Sequence, residues 1–177
     1  MTVFLSGGAK NGKSMLAQRL SKALAGGGRL YYAATMIPHD GEDDARIARH
    51  RREREGWGFE TVECGRDVMA AFSHLPRGTV LFDSVTALMA NEMFHGPEID
   101  TEAPLRVREE LNALADWAEN AVFVSDFIYS DAGHYDPWTE QYRRALAEAD
   151  RELCRRCDAV AELCAGNIIV HKGVLPE

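Results

Sequence analysis

The alternation of apolar and polar positions divides the chain into short strands and longer helices. Val3-Phe4-Leu5 is an apolar run that reads as a buried strand, and residues 14–25 read as a helix ended by Gly26-Gly27-Gly28. Residues 30–34 predict a second buried strand. Residues 35–42 predict a loop punctuated by Pro38 and Gly41, and 43–55 a helix of unusual charge. A third strand is expected at 59–63, then a short helix at 67–74 with Asp67 placed to cap it. After the turn Pro76-Arg77-Gly78, Thr79-Val80-Leu81-Phe82-Asp83 is an apolar run that ends in a carboxylate. Residues 84–94 predict a helix and 95–104 a polar loop. Residues 105–119 predict an amphipathic helix with Leu111, Leu114 and Ala118 on one stripe, followed by a strand at 121–125. A polar segment, 126–137, leads into a helix at 138–156. Two strands, 159–163 and 168–171, close the chain, and a turn as tight as Gly166-Asn167 makes them antiparallel. With no repeat, low-complexity segment or linker, residues 1–177 are expected to form one domain.

Between the first strand and first helix lies Gly7-Gly8-Ala9-Lys10-Asn11-Gly12-Lys13-Ser14, which fits G-x-x-x-x-G-K-[ST]. Strand, glycine loop and helix are the context this phosphate-cradling motif needs; without them the match would be a glycine-rich turn. The glycines let successive N–H groups point inward, and the helix N-terminus adds partial positive charge. Lys13 is expected to reach the β and γ phosphates of a nucleotide, and the Ser14 hydroxyl to hold Mg²⁺. The carboxylate of Asp83, at the end of its apolar run, matches a Walker-B aspartate that contacts Mg²⁺. Its plainer reading is a strand-end residue capping the next helix.

Charge and cysteine content narrow the picture. The net charge of −8 argues against general nucleic-acid binding, and no apolar run approaches the ~18–20 residues of a membrane span. The first apolar stretch is a strand rather than a leader, so a cytoplasmic setting is expected. Cys154 and Cys157 form one C-x-x-C inside a helical pattern. A zinc site usually needs a second such pair or added histidines, so these read as ordinary reduced thiols.

The helix at 43–55 carries Arg46, Arg49, Arg51, Arg52 and Arg54 in nine positions of an acidic protein. Arg46, His50 and Arg54 follow an i, i+4, i+8 spacing and share one face. One reading is a solvated face paired with Glu53 and Glu55; the other is a surface for a polyanion such as a nucleoside triphosphate. The segment 126–137 holds Asp126, Tyr129, Asp131, His134, Tyr135 and Asp136 at the end of a strand, where α/β sheets build sites.

Together these features resemble the adenosylcobinamide kinase / adenosylcobinamide-phosphate guanylyltransferase family of cobalamin biosynthesis. The resemblance begins at Ser6 through Ser14 and continues in Leu30-Tyr31-Tyr32-Ala33-Ala34-Thr35. It is sharpest at Arg46-Ile47-Ala48-Arg49-His50-Arg51, which looks like the family's R-I-x-x-H element. Phe59, Thr61 and Glu63 fall on its W-x-T-x-E run, with Phe59 in the tryptophan's place. Val80 to Asn91, with Asp83, Thr86 and Asn91, looks like its Walker-B strand and following helix, and His171-Lys172-Gly173 is compatible with its end. The segment 125–137 departs from the family's N-E-V-G-x-G-I-V-P run; Asp126 stands in the glutamate's place and Pro137 closes the loop.

The resemblance implies a P-loop NTPase, RecA-like α/β fold: a mostly parallel sheet flanked by helices, with antiparallel strands near the C-terminus. It also implies a small symmetric homo-oligomer, a trimer. The implied activity is twofold: ATP or GTP phosphorylates adenosylcobinamide, then GTP gives GMP to the product phosphate through a guanylylated His50. Its implied nucleotide site is Gly7, Gly8, Ala9, Lys10, Asn11, Gly12, Lys13, Ser14, Arg46 and Glu63, with His50, Lys13 and Asp83 catalytic and Ser14 and Asp83 on Mg²⁺. A neutral imidazole is needed for the attack, and Arg46 and Arg54 are placed to neutralise the triphosphate and discourage protonation of His50. Two alternatives remain open: a divergent small-molecule kinase without the guanylyl step, favoured by the altered segment, and a non-catalytic nucleotide-binding module.

Overall fold

In a computed structural model that describes residues 1–38 and 41–176, with the side chains of 42–46 and 53 outside the description, the elements alternate as expected. β1 (Thr2–Gly7) runs through the glycine loop into α1 (Lys13–Ala25), then β2 (Leu30–Ala34), α2 (Gly41–Glu53), β3 (Glu60–Glu63) and α3 (Val68–Phe72). β4 (Thr79–Asp83), α4 (Val85–Met93), α5 (Ala103–Trp117) and β5 (Asn120–Val124) follow. α6 (Pro137–Arg156), β6 (Ala159–Cys164) and β7 (Asn167–Lys172) complete the chain. Of the expected loop at 35–42, positions 39 and 40 lie outside the described residues, and α2 already begins at Gly41.

One sheet holds all seven strands in the order β3-β2-β4-β5-β1-β6-β7. Every pairing is parallel except the last, β6 with β7. This is the P-loop, RecA-like α/β arrangement. Successive strand residues point to opposite faces, so the sheet has two cores. Phe4, Phe82 and Phe123 pack against α3 to α6, while Val3, Leu5, Leu81 and Val122 pack against Ala17 and Leu20 of α1. Both faces are covered, which is why the strands read as continuous apolar runs. Their carboxyl ends bring the P-loop, Asp83 and Ser125-Asp126 to one rim of the sheet.

Three local expectations change. Asp67 does not cap α3: it sits at φ 49° and its side chain makes no capping bond. Carboxylates from the neighbouring helices take the amides instead, Asp67 N donating to Glu92 Oε1 (3.1 Å) and Val68 N to Glu110 Oε2 (2.6 Å). The helix ends at Phe72 rather than 74. The closing hairpin turns on Ala165 and Gly166, both at positive φ, so Asn167 belongs to β7 opposite Cys164. All of β7 is exposed, including Ile168, Ile169 and Val170 at the open edge. Among the described residues no helix is long and apolar enough to cross a membrane.

Candidate active site

The P-loop is tied into the sheet before it meets any ligand. Gly7 has φ 148°, and a Cβ there would run into the Leu163 carbonyl and the Asn11 amide. Asn11 Nδ2 donates to that same carbonyl (2.6 Å) and its Oδ1 accepts from Lys13 N (3.3 Å), so β6 braces the loop from the side. Gly12 at φ 94° makes the turn into α1, a position side chains rarely adopt. α1 has no side-chain cap and no acid in its first turn, which leaves its N-terminus suited to an anion. Gly8, Ala9 and Lys10 are exposed on the loop.

Lys13 is only 5% exposed. Its Nζ donates to Gly8 O (2.7 Å) and pairs with Asp126 Oδ1 (2.9 Å). Asp126 is set by its own backbone, whose N–H donates to Thr86 Oγ1 (2.8 Å), while Phe127 N donates to Gly7 O (3.0 Å). Of the six residues singled out in the segment 126–137, Asp126 alone lines the cleft. Asp131 accepts from Tyr135 Oη (2.6 Å), which lowers its carboxyl from the ordinary value, and is turned to Arg143 (2.8 Å), which adds to that; His134 is exposed.

Asp83 does not cap α4. That role falls to Ser84, whose Oγ accepts from Ala87 N (3.2 Å). Asp83 Oδ2 instead accepts from Tyr32 Oη (2.9 Å), which leaves Asp83 facing the cleft. Thr35 and Asn91 lock the surrounding loops. Ser84 N donates to Thr35 Oγ1 (2.6 Å), and Asn91 Nδ2 donates to the carbonyls of Thr35 (2.7 Å) and Gly65 (2.8 Å).

Across the cleft stands α2. His50 and Arg54 both line it, in keeping with their shared helix face; the Arg46 side chain lies outside the described residues. The helix is anchored to the sheet by cations. Arg51 Nη2 pairs with Glu63 Oε1 (2.9 Å) on β3, with both side chains exposed, and Arg54 lies buried over the Tyr32 ring, 3.4 Å from its centroid. One cleft therefore gathers Lys13, Ser14, His50, Glu63 and Asp83, and adds Asp126. Tyr32 and its hydroxyl bond to Asp83 were missed from sequence: strand alternation turns Tyr31 and Tyr32 to opposite faces but cannot say which one meets the site.

Behind the rim, Asp150 is 2% exposed and accepts from Ser125 Oγ (2.8 Å) and Tyr129 Oη (3.1 Å). Burial pushes its carboxyl up to about 7, against the lowering effect of those two hydroxyls, and nearby Asp126 adds to the rise. Burial also pushes the thiol of Cys154 up to about 11 and that of Cys157 to about 12, so both are protonated at neutral pH.

The donor set suits Mg²⁺. Ser14 and Asp83 offer a hydroxyl and a carboxylate to the same cleft, hard oxygens of the kind that bind this ion together with substrate phosphates. Among the described residues no three His, Cys, Asp or Glu side chains converge as a protein-only metal cage, an arrangement that Mg²⁺ shared with a triphosphate does not require.

The chain matches a family model described as CobU, cobinamide kinase / cobinamide phosphate guanyltransferase, over residues 3–170. A comparison with curated proteins finds no match. Among solved structures it is similar to an ATPase domain, with TM-score 0.55 and 11% identity over 97% of this chain and 76% of that one. It is also similar to PH0250 from Pyrococcus horikoshii OT3, with TM-score 0.51 and 10% identity over 98% and 86% of the two chains. At such identities the likeness is one of fold alone.

Proposed function

The chain belongs to the cobinamide kinase / cobinamide phosphate guanyltransferase family, and from that premise we propose that its single cleft serves two successive transfers. In the first, a nucleoside triphosphate phosphorylates the hydroxyl of adenosylcobinamide. The hydroxyl oxygen loses its proton to solvent water and bonds to the γ-phosphorus as the bond to the β-phosphate oxygen breaks, the nucleoside diphosphate leaving with the electron pair. In the second, a neutral His50 imidazole attacks the α-phosphorus of GTP. A nitrogen–phosphorus bond forms, the bond to the β-phosphate oxygen breaks, and pyrophosphate leaves with its electron pair. The product phosphate then displaces His50 from phosphorus and carries away the GMP.

The residues divide the labour. Lys13 and the P-loop amides hold the outer phosphates, so that transfer is mainly positioning and charge neutralisation. Ser14 and Asp83 would hold Mg²⁺, which supplies charge neutralisation for the leaving phosphates when bound. Arg46 and Glu63 belong to the same nucleotide site. The observation that carries the reading is His50 lining the same cleft as Lys13 and Asp83, on a helix otherwise crowded with cations.

A trimeric assembly is part of the proposal. The open apolar edge of β7 supports association with further copies, and light scattering on the eluted protein measures it.

The test is label transfer from GTP without acceptor, with the phosphate label at the α and then the γ position. Acid-labile label on denatured protein from the α position only, absent in His50→Ala, is expected. Full labelling of His50→Ala would end the assignment. Bound nucleotide with no label from either position would leave a kinase or a binding module, and adding adenosylcobinamide with ATP separates those two.

A further inference from the structure

Arg54, just past the end of α2, is unlike the described arginines within that helix. Arg51 and Arg52 are exposed, and Arg51 is paired with Glu63. Arg54 is 7% exposed, and its Nη1 is buried without a hydrogen-bond partner among the described residues. A buried guanidinium nitrogen out of reach of solvent, with no acceptor among the described residues, is costly unless something else faces it. The Tyr32 ring beneath it, 3.4 Å from the guanidinium carbon to the centroid, supplies a cation–π contact but no acceptor for the fork of N–H donors. That side chain lines the cleft that also contains Lys13, His50 and Asp83, and lines the adjoining groove with Arg51 and Arg52.

Tyr32 fixes where the guanidinium sits. The ring is held edge-on by Phe59 (centroids 6.2 Å apart) and its hydroxyl donates to Asp83 Oδ2 (2.9 Å). The shelf under Arg54 is therefore pinned to the carboxylate on the P-loop side of the cleft. Arg54 also follows His50 by one helical turn, its N–H donating to the His50 carbonyl (3.3 Å), so the two side chains share a helix face.

We propose that Arg54, seated on Tyr32, is a second phosphate-binding site of the cleft, separate from the P-loop, and that it takes the phosphate of a nucleoside monophosphate unit beside His50. The P-loop holds the outer phosphates of a triphosphate while Arg54 holds the α-phosphate. Tyr32 is the positioning residue that presents the guanidinium and links the two grips. Naming the phosphate as the α-phosphate rests on the guanylyl reading above; the existence of the site does not.

GMP is the probe, because it lacks the phosphates that the P-loop is expected to hold. Its affinity for the full chain is measured by calorimetry, with thermal melting run on every variant to confirm folding. Arg54→Gln is expected to weaken GMP binding roughly 10- to 100-fold, the loss expected for charge-assisted hydrogen bonds. Arg54→Lys, which keeps the charge but not the planar fork, falls between. Tyr32→Leu is expected to weaken it as Arg54→Gln does. Tyr32→Phe keeps the shelf and is expected to stay within about twofold of wild type, while shifting the Mg²⁺ concentration needed for γ-phosphate transfer through loss of its bond to Asp83. Lys13→Ala, which removes the P-loop cation on the far side of the cleft, is expected to weaken GMP binding less than Arg54→Gln does. Wild-type GMP affinity in folded Arg54→Gln overturns the proposal, and so does a Lys13→Ala variant that loses GMP while Arg54→Gln retains it. If wild type takes no α-label from GTP yet GMP binding follows the expected order, the guanylyl reading fails and the phosphate site stands.

Discussion

The two walls of the cleft are built differently. The P-loop wall is backbone held by the sheet: Gly7 lies against β6, Asn11 bonds across to Leu163, and Phe127 closes on Gly7. α1 behind it buries Ala17 and Leu20 in the core. The α2 wall is a charged helix none of whose described side chains within the helix is fully buried, with Ile47 half-buried and Arg54 packed just beyond its end. Its described fastenings include an exposed ion pair and a cation on an aromatic ring. The phosphate grip proposed for the P-loop thus depends on the fold, whereas placement of the proposed nucleophile, His50, depends on contacts of a charged helix. Substitutions on the first wall should disturb stability and binding together; those on the second should change chemistry and leave the fold intact.

The largest expected effect lies where the first wall meets the substrate. Lys13→Ala is expected to cut triphosphate-dependent transfer by about 10³-fold, measured as kcat/KM for γ-phosphate transfer. Turnover near wild type would show that this wall does not grip the outer phosphates.

The next effect is a pH dependence rooted behind the same wall. The folded Asp150 carboxyl titrates near 7, above its ordinary value of 3.8. The folded state therefore binds more protons than the unfolded state between those values, and stability falls as pH rises from about 4 to about 7, by on the order of 3–4 kcal/mol. Asp150→Asn is expected to flatten that slope in denaturant titrations run at several pH values. An unchanged slope would remove Asp150 as its source.

Gly7→Ala tests the close approach itself. Its Cβ would strike backbone at Leu163 in a conformation that L-residues rarely adopt, so a loss of about 2–3 kcal/mol is expected in denaturant unfolding. The smallest effect belongs to the second wall. Arg51→Ala breaks an exposed pair and should cost less than about 0.5 kcal/mol, read with Glu63→Ala in a double-mutant cycle. A large coupling there would mean that α2 is fastened as firmly as the P-loop.

Features carried by local pattern were legible in sequence. The P-loop is a contiguous motif between a strand and a helix, Asp83 ends an apolar run, and the spacing of His50 and Arg54 puts them on one helix face. What escaped was set by partners far along the chain. Asp67 looked like a cap, but Glu92 and Glu110, 25 and 42 residues away from their donors, supply the acceptors. The bond from Tyr32 to Asp83 spans 51 residues and depends on which face of β2 meets the cleft. The choice of Asp126 over Asp131 rested on Thr86 and Arg143, which fix the backbone of one and divert the carboxylate of the other.

The nucleophile proposed on the helical wall is His50. Its most direct test is intact-mass analysis of the full chain after incubation with GTP and Mg²⁺, followed by peptide mapping without acid exposure. A mass increase of one guanylyl group (GMP less water), lost on adding adenosylcobinamide phosphate, is expected, with the adduct on the peptide that contains His50. An adduct on another residue, or transfer of GMP to the acceptor by a His50→Ala protein, would contradict it.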